Sequence, residues 1–410
     1  MGGNAFNKSH PEAAFPRMQT PIYEHTKAKV HAALRSLYDH LASPPEAPQK
    51  LDHGDVDVLV CSPKPDLTHE QVRKALGATW SIPFEVTSHF ALRWDTVVGS
   101  QGDVLGHGGP NDYIQVDVHV CEDMADFERV LFGHSYGDMF MILGLIARSI
   151  GLSLGTSGLR LANQLSTSPP ITLSLSSSIP DILSFFGLSI DRWQEGFTSQ
   201  QAIFDWIASS RFYNPAVMAR SDSDQQRGRR QRDARGMYQN FLAHARQRNS
   251  DGVVLPDRVA AVQSALQHFG KWELYCRLLH VEAVRKRSNA VFTGKLVTAW
   301  TGVQGMPVRW IMEEVKKRLG GDEVDEPDLV DALLTSGSGI EPVYWTLHTW
   351  QVRMGAMDDD AIRSFTMEVK AEMEKAGRLE FDWREAKRLK EERKRSAAAQ
   401  LAEMGQAPSL

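Results

Sequence analysis

Apolar and polar positions alternate through Leu51–Val60 and again through Tyr113–Val120, the two-residue period of a strand with one buried face. Val56 and Val58 fall on one side of the first run, Asp55 and Asp57 on the other. In the second run Val116 and Val118 flank a single carboxylate, Asp117. Upstream the period changes to that of a helix. Val30, Leu34, Leu37 and Leu41 repeat at helical spacing, Thr20 can cap and Pro21 suits a first turn, so one helix is expected over 20–41, stopped by the proline-rich 43–48. Thr68-His-Glu-Gln71 reads as a capping box opening a short helix through Leu76. Residues 84–94 alternate as a strand. The glycine-rich 99–111 is a loop leading into the Asp117 strand, with a hairpin expected to gather the three aspartates.

Further along, 139–150 is an apolar helix ending at Gly151, and 157–161 returns as a strand. Serine, threonine and proline then dominate 165–178 around one alternating run, 171–175, which marks a seam. Beyond it the pattern is helical, with helices expected at 180–186, 199–209, 258–286, 308–319, 328–334, 361–375 and 383–400. No repeat of fixed period is visible. The fold class expected is α+β, with sheet and helices over 1–165 and a mainly helical remainder over 166–410 that lines one side of a cleft and serves the acceptor. The many tryptophans of the remainder are expected as core anchors.

Composition narrows the classes without choosing among them. At 410 residues and 42% hydrophobic the chain can build more than one core. A formal charge of −5 gives no global attraction to nucleic acid or membrane, so a polyanion site has to be a local patch. No apolar run reaches the length of a membrane span and the first residues form no signal-peptide core, so the expected location is intracellular, cytoplasmic or nuclear. Cys61, Cys121 and Cys276 are too scattered for a disulfide framework, and the first two end apolar runs, as buried thiols would.

Asp55, Asp57 and Asp117 carry the chemistry. Carboxylates brought this close repel and raise one another's pKa unless a divalent cation neutralises them, and Mg²⁺ or Mn²⁺ prefers an all-oxygen cage. Gly54-Asp55-Val56-Asp57 and Val116-Asp117-Val118 resemble two of the three motifs of the nucleotidyltransferase superfamily typified by DNA polymerase β, the poly(A) polymerases and the CCA-adding enzymes. The third motif is a glycine pair, and Gly2-Gly3 offers one. It precedes Asp55 by far more than the family's spacing, so either a helix has been inserted or the pair is unrelated. The resemblance covers about residues 1–165. It implies a polymerase-β-like mixed sheet, two metal ions held by Asp55, Asp57 and Asp117, an NTP substrate, and phosphate contacts from Gly2, Gly3 and Gly54.

Ser135, Tyr136 and Asp138, before the 139–150 helix, have two readings: a Ser-x-x-Asp cap, or groups bordering the nucleotide as a helix after the third acid does in the family. Eight arginines against three aspartates between Arg220 and Arg248 include Arg227, Arg229, Arg230, Arg232 and Arg235, a candidate nucleic-acid contact or a solvated stretch. On that segment an RNA 3′ end is the favoured acceptor, ahead of a protein or small molecule. The alternative from another class is an inactive nucleotidyltransferase-like protein that binds nucleotide or RNA and presents its helices to a partner.

Overall fold

The structure, a computed structural model, describes residues 3–99, 108–219, 235–248, 257–326, 340–341, 344, 346–380, 388 and 391–392. The fold is α+β, with a mixed five-stranded sheet and a helical C-terminal region. Two compact units divide the chain, one of residues 1–165 with 172–272 and one of 166–171 with 273–410. The unit that carries the sheet therefore resumes beyond 165 and runs on to Trp272. No single helix among the described residues is long and apolar enough to cross a membrane.

In the first unit β1 (Met18–Gln19) leads into α1 (Thr20–Leu34), β2 (Tyr38–Ala42), β3 (Asp52–His53), β4 (Asp55–Pro63) and α2 (His69–Leu76). Then follow β5 (Trp80–Phe84), β6 (Thr87–Arg93), α3 (Trp94–Val98) and β7 (Tyr113–Val120). β1 and β3 form a short antiparallel pair, and the main sheet has the order β2-β4-β7-β6-β5. Only β4 and β7 run parallel; the other neighbours are antiparallel.

Strand alternation sorts the sheet into two faces. Val56, Val58, Val60, Ile114, Val116 and Val118 join Phe90 and Leu92 under Ile22, Val30 and Leu34 of α1 and Val72 and Leu76 of α2. The opposite face is divided. At its far end Leu59, Cys61 and Cys121 are covered by Phe127 and Val130 of α4 (Met124–His134). At the near end stand Asp55 and Asp57, with Asp117 beside them, and the face stays open to solvent at Asp57.

The remainder of the unit holds α5 (Met139–Ser149) and a three-stranded antiparallel sheet of β8 (Leu152–Gly155), β9 (Gly158–Leu161) and β10 (Ser174–Ser176). It continues through α6 (Ile179–Phe186), α7 (Ile190–Glu195), α8 (Gln200–Ala208), α9 (Pro215–Ala219), α10 (Gly236–Gln247) and α11 (Arg258–His268). The second unit comprises α12 (Trp272–Val291) from its second residue on, α13 (Gly294–Thr301), α14 (Met306–Arg318), α15 (Thr349–Gly355) and α16 (Asp359–Lys375), around Val297, Ile311, Val315, Met354 and Val369. Of the tryptophans expected as core anchors, Trp206 and Trp350 are buried, Trp193, Trp272, Trp300 and Trp310 are half-buried, and Trp345 lies outside the described residues.

Several local expectations change. The helix expected over 20–41 ends at Leu34, because Tyr38 and His40 pair with Pro63 and Cys61, and sheet pairing overrides the local period that Leu37 and Leu41 continue. Gln19, not Thr20, occupies the cap position. The Thr68 capping box forms as read. Of the strand expected over 84–94, Phe84 ends β5, Thr87–Arg93 form β6 as the second half of the hairpin, and Trp94 opens α3. The 258–286 stretch is broken between α11 and α12 at Gly270, whose left-handed φ of +64° ends the first helix. The helix expected at 328–334 and most of 383–400 lie outside the described residues.

Candidate functional site

Asp57 pairs with Asp117 in the β4–β7 register, and Asp55 pairs with Gln115. Neighbouring strands lie about 4.8 Å apart, so the three carboxylates share one patch. The expected hairpin is corrected: β7 makes its antiparallel pairing with β6, while the two aspartate strands meet in parallel. A parallel register places Asp117 beside Asp57 on the same face because both strands keep the same alternation.

Each outer carboxylate is held. Gln115 Nε2 donates to Asp117 Oδ1 at 2.9 Å and Oδ2 at 3.1 Å, and His89 Nδ1, from the paired position on β6, lies 2.8 Å from Oδ1. Gln115 Oε1 in turn accepts from the Ala5 amide at 3.0 Å, and the Gly3 amide donates to Asp55 Oδ2 at 3.3 Å. The N-terminal segment is thus tied directly to the two strands. Gly3 has a left-handed φ of +83°, and a Cβ there would stand 2.8 Å from the Gly54 carbonyl oxygen. The distance in sequence between the glycine and the aspartates is closed in space. The Gly3 amide meets a carboxylate, however, not open space where a phosphate could lie; Gly2 lies outside the described residues. Gly54 is buried beneath Gly3.

The electrostatics are those of crowded anions. Protein packed around Asp57 removes much of the water it would meet in bulk, although the residue keeps an open surface, and Asp55 and then Asp117 repel its charge; together they push its carboxyl up to about 7. Burial also raises Asp117, repulsion by Asp55 adds to this, and the hydrogen bonds from His89 and Gln115 oppose it. Such a set gains from a divalent cation, which would replace repulsion with ligation. The donor chemistry fits a hard, oxygen-preferring ion such as Mg²⁺ or Mn²⁺.

A second group borders Asp57. Lys50 Nζ lies 2.5 Å from Glu46 Oε2, the Tyr23 hydroxyl hydrogen-bonds Glu46, and His53 stacks on Tyr23 with ring centroids 3.8 Å apart. Burial would raise Glu46, but Lys50 and Tyr23 outweigh it and leave this carboxyl below its ordinary range. Burial pushes Tyr23 upward and His53 downward. Lys50 supplies a positive charge to the acidic patch, since it lowers Asp57 against the repulsion. Sequence reading missed His89, Gln115, Glu46 and Lys50. Gln115 shares the alternation parity of Asp117 and was readable from it; Glu46 and Lys50 sit in a connection with no period to mark them.

The other candidates are placed as follows. Ser135 caps the end of α4 and donates its hydroxyl to Leu131 O at 2.6 Å. Tyr136, with φ +57°, turns inward, its amide donating to Pro45 O at 2.7 Å and its ring against Phe197. Asp138 begins α5 without capping it and pairs with Arg235, Nη1 to Oδ1 2.6 Å. The Ser-x-x-Asp cap expected there does not form. Ser135 is wholly buried and Asp138 nearly so, which spends these groups on the protein's interior. Arg227, Arg229, Arg230 and Arg232 lie outside the described residues. Comparison with protein-family models and with curated proteins found no match.

Proposed function

We propose that this chain is a metal-dependent nucleotidyltransferase, moving a nucleoside monophosphate from an NTP to an acceptor hydroxyl with release of pyrophosphate. The observation that carries this reading is the Asp57–Asp117 pairing across parallel strands, with Asp55 on the same open face. Asp55, Asp57 and Asp117 are the residues that would hold two Mg²⁺ or Mn²⁺ ions. Ions held there would supply the positive charge that a triphosphate and an attacking hydroxyl need for transfer.

The chain's own groups do the rest. Asp117 is the acceptor for the proton of the attacking hydroxyl, and its contacts with His89 and Gln115 fix the carboxylate that receives it. Gly3 and Ala5 hold Asp55 and Gln115 in place through backbone amides, so the site is set before substrate arrives. Lys50, paired with Glu46, adds positive charge beside Asp57. The acceptor in this reading is an RNA 3′ end. That part rests on the arginine-rich sequence around Arg227–Arg232; Arg235 is committed to Asp138.

Purified chain given each NTP, Mg²⁺ or Mn²⁺ and cellular RNA should release pyrophosphate and label the RNA. Asp57→Ala should abolish turnover while retaining part of the NTP binding. Full activity in that variant, or release that ignores the divalent ion, overturns the proposal. NTP binding without any turnover in the unaltered chain identifies a binding protein in its place.

A further inference from the structure

On the same sheet face as the aspartates, at the far end beneath α4, three different metal-binding side chains converge. His119 is the last but one residue of β7, Cys121 directly follows the strand and Asp126 lies in the first turn of α4; one ligand atom from each lies within 4.8 Å of the others. We infer that His119, Cys121 and Asp126 form a second metal site, selective for a borderline-soft divalent cation of the Zn²⁺ type, separate from the all-oxygen site at Asp55, Asp57 and Asp117.

Ligand chemistry sets the preference. Nitrogen and sulfur donors suit Zn²⁺, whereas Mg²⁺ seeks oxygen and retains its water. Zinc bonds of about 2.0–2.3 Å require ligand atoms roughly 3.3–3.8 Å apart, so small side-chain adjustments close the present spacing. Binding exchanges the Cys121 S–H bond for a sulfur–metal bond, the proton leaving to water.

The surroundings have the support that metal ligands require. Thr87 Oγ1 lies 2.8 Å from His119 Nδ1, and this contact, from the paired position on β6, orients the ring. Asp126 Oδ2 accepts from the Glu122 amide at 3.2 Å and Oδ1 from Arg129 at 3.1 Å, which orients the carboxylate while each oxygen keeps a further lone pair. Cys121 is a buried free thiol packed with Leu59, Phe127 and Val130, an apolar wall that limits access of bulk solvent to the sulfur. The three ligands thus come from a strand end, the connection after it and a helix start, all positioned by the fold. Three protein ligands leave a fourth position for water or a substrate atom.

The test uses the full chain, stripped with chelator and titrated with Co²⁺. A site containing Cys121 gives a near-ultraviolet thiolate-to-cobalt charge-transfer band at one equivalent, which an all-oxygen site cannot produce, and added Zn²⁺ abolishes it. Cys121→Ser should lose the band and His119→Gln should weaken cobalt binding roughly tenfold or more, while Cys276→Ser retains it. The Asp57→Ala variant should keep the band, so the outcome is independent of the nucleotidyl-transfer reading. Circular dichroism checks that each variant is folded, and His119→Gln, whose side chain is half-buried, serves if Cys121→Ser does not fold. Absence of the charge-transfer band in the unaltered chain, or its persistence in folded Cys121→Ser or at unchanged affinity in His119→Gln, overturns the inference.

Discussion

Gly3 lies against the backbone of Gly54, so close that a Cβ on Gly3 would stand 2.8 Å from the Gly54 carbonyl oxygen. Its φ of +83° is also one that side chains resist. Gly3→Ala is therefore expected to push the N-terminal segment off the strand, at a cost of about 1–3 kcal/mol, the usual range for overpacking. The same displacement removes the amide contacts to Asp55 and Gln115. Urea unfolding should show the lower midpoint, and pyrophosphate release should fall more steeply than stability explains. An unchanged midpoint would mean that the close approach is not maintained in solution.

The acidic trio makes the metal-free protein sensitive to pH in a defined direction. Asp57 titrates near 7 in the fold against 3.8 when unfolded. Between those values the native state holds a proton that the unfolded chain has released, so stability is greatest below about pH 4 for this group and is lost as pH rises through 7. Asp117, also raised, acts with the same sign. Denaturation in chelator should show this contribution as a decline between pH 5 and pH 8, and Asp57→Asn should flatten it and be the more stable protein at pH 8. Saturating Mn²⁺ should restore the unaltered chain and leave Asp57→Asn unmoved. A variant less stable than its parent at pH 8 without metal would contradict mutual repulsion at this patch.

Much of this site was legible because strand alternation is a strict rule. Once Asp55-Val-Asp57 and Val116-Asp-Val118 are strands, valines and aspartates must part to opposite faces, and a shared orientation brings the aspartates together. What local pattern does not encode is which strands pair. Leu37 and Leu41 continue a helical period yet belong to the turn and edge strand beside β4, and the aspartate strands proved parallel although a hairpin was expected. Groups brought in by tertiary contact were invisible for the same reason. His89 reaches Asp117 only through the β6–β7 register, and Arg235 reaches Asp138 across a long stretch of chain. The reading of Ser135 failed on competition: its hydroxyl closes the preceding helix and does not cap the following one.

His89 and Gln115 hold Asp117 and, in the proposed reaction, are not expected to touch the transferred group themselves. Loss of such a supporting contact commonly costs 10–100-fold in metal affinity or activity. Gln115→Leu, which removes the amide nitrogen that donates to both Asp117 oxygens and the acceptor for Ala5, should fall in this range and, in the proposed reaction, should raise the Mn²⁺ concentration needed for half-maximal turnover. His89→Asn should be milder, since its amide can offer a donor from nearly the same position. If Gln115→Leu lowers thermal stability while kinetic constants and metal dependence stay unchanged, the contact serves folding alone.

The Arg235–Asp138 pair tests whether these residues serve nucleotide or the fold. Asp138 is 8% exposed and starts α5 without donating or accepting a capping bond, so its charge relies on Arg235 at 2.6 Å. Removing the guanidinium leaves a nearly buried carboxylate without this partner, which costs about 1–3 kcal/mol. Arg235→Ala should lose that much by urea unfolding, and Asp138→Asn made on top of it should recover part of the loss, because the uncompensated charge is then gone. Activity measured well below the unfolding transition should be retained in the double variant. A double variant as stable as its parent yet unable to bind NTP would instead assign the pair to the substrate, returning Asp138 to the edge of the nucleotide site.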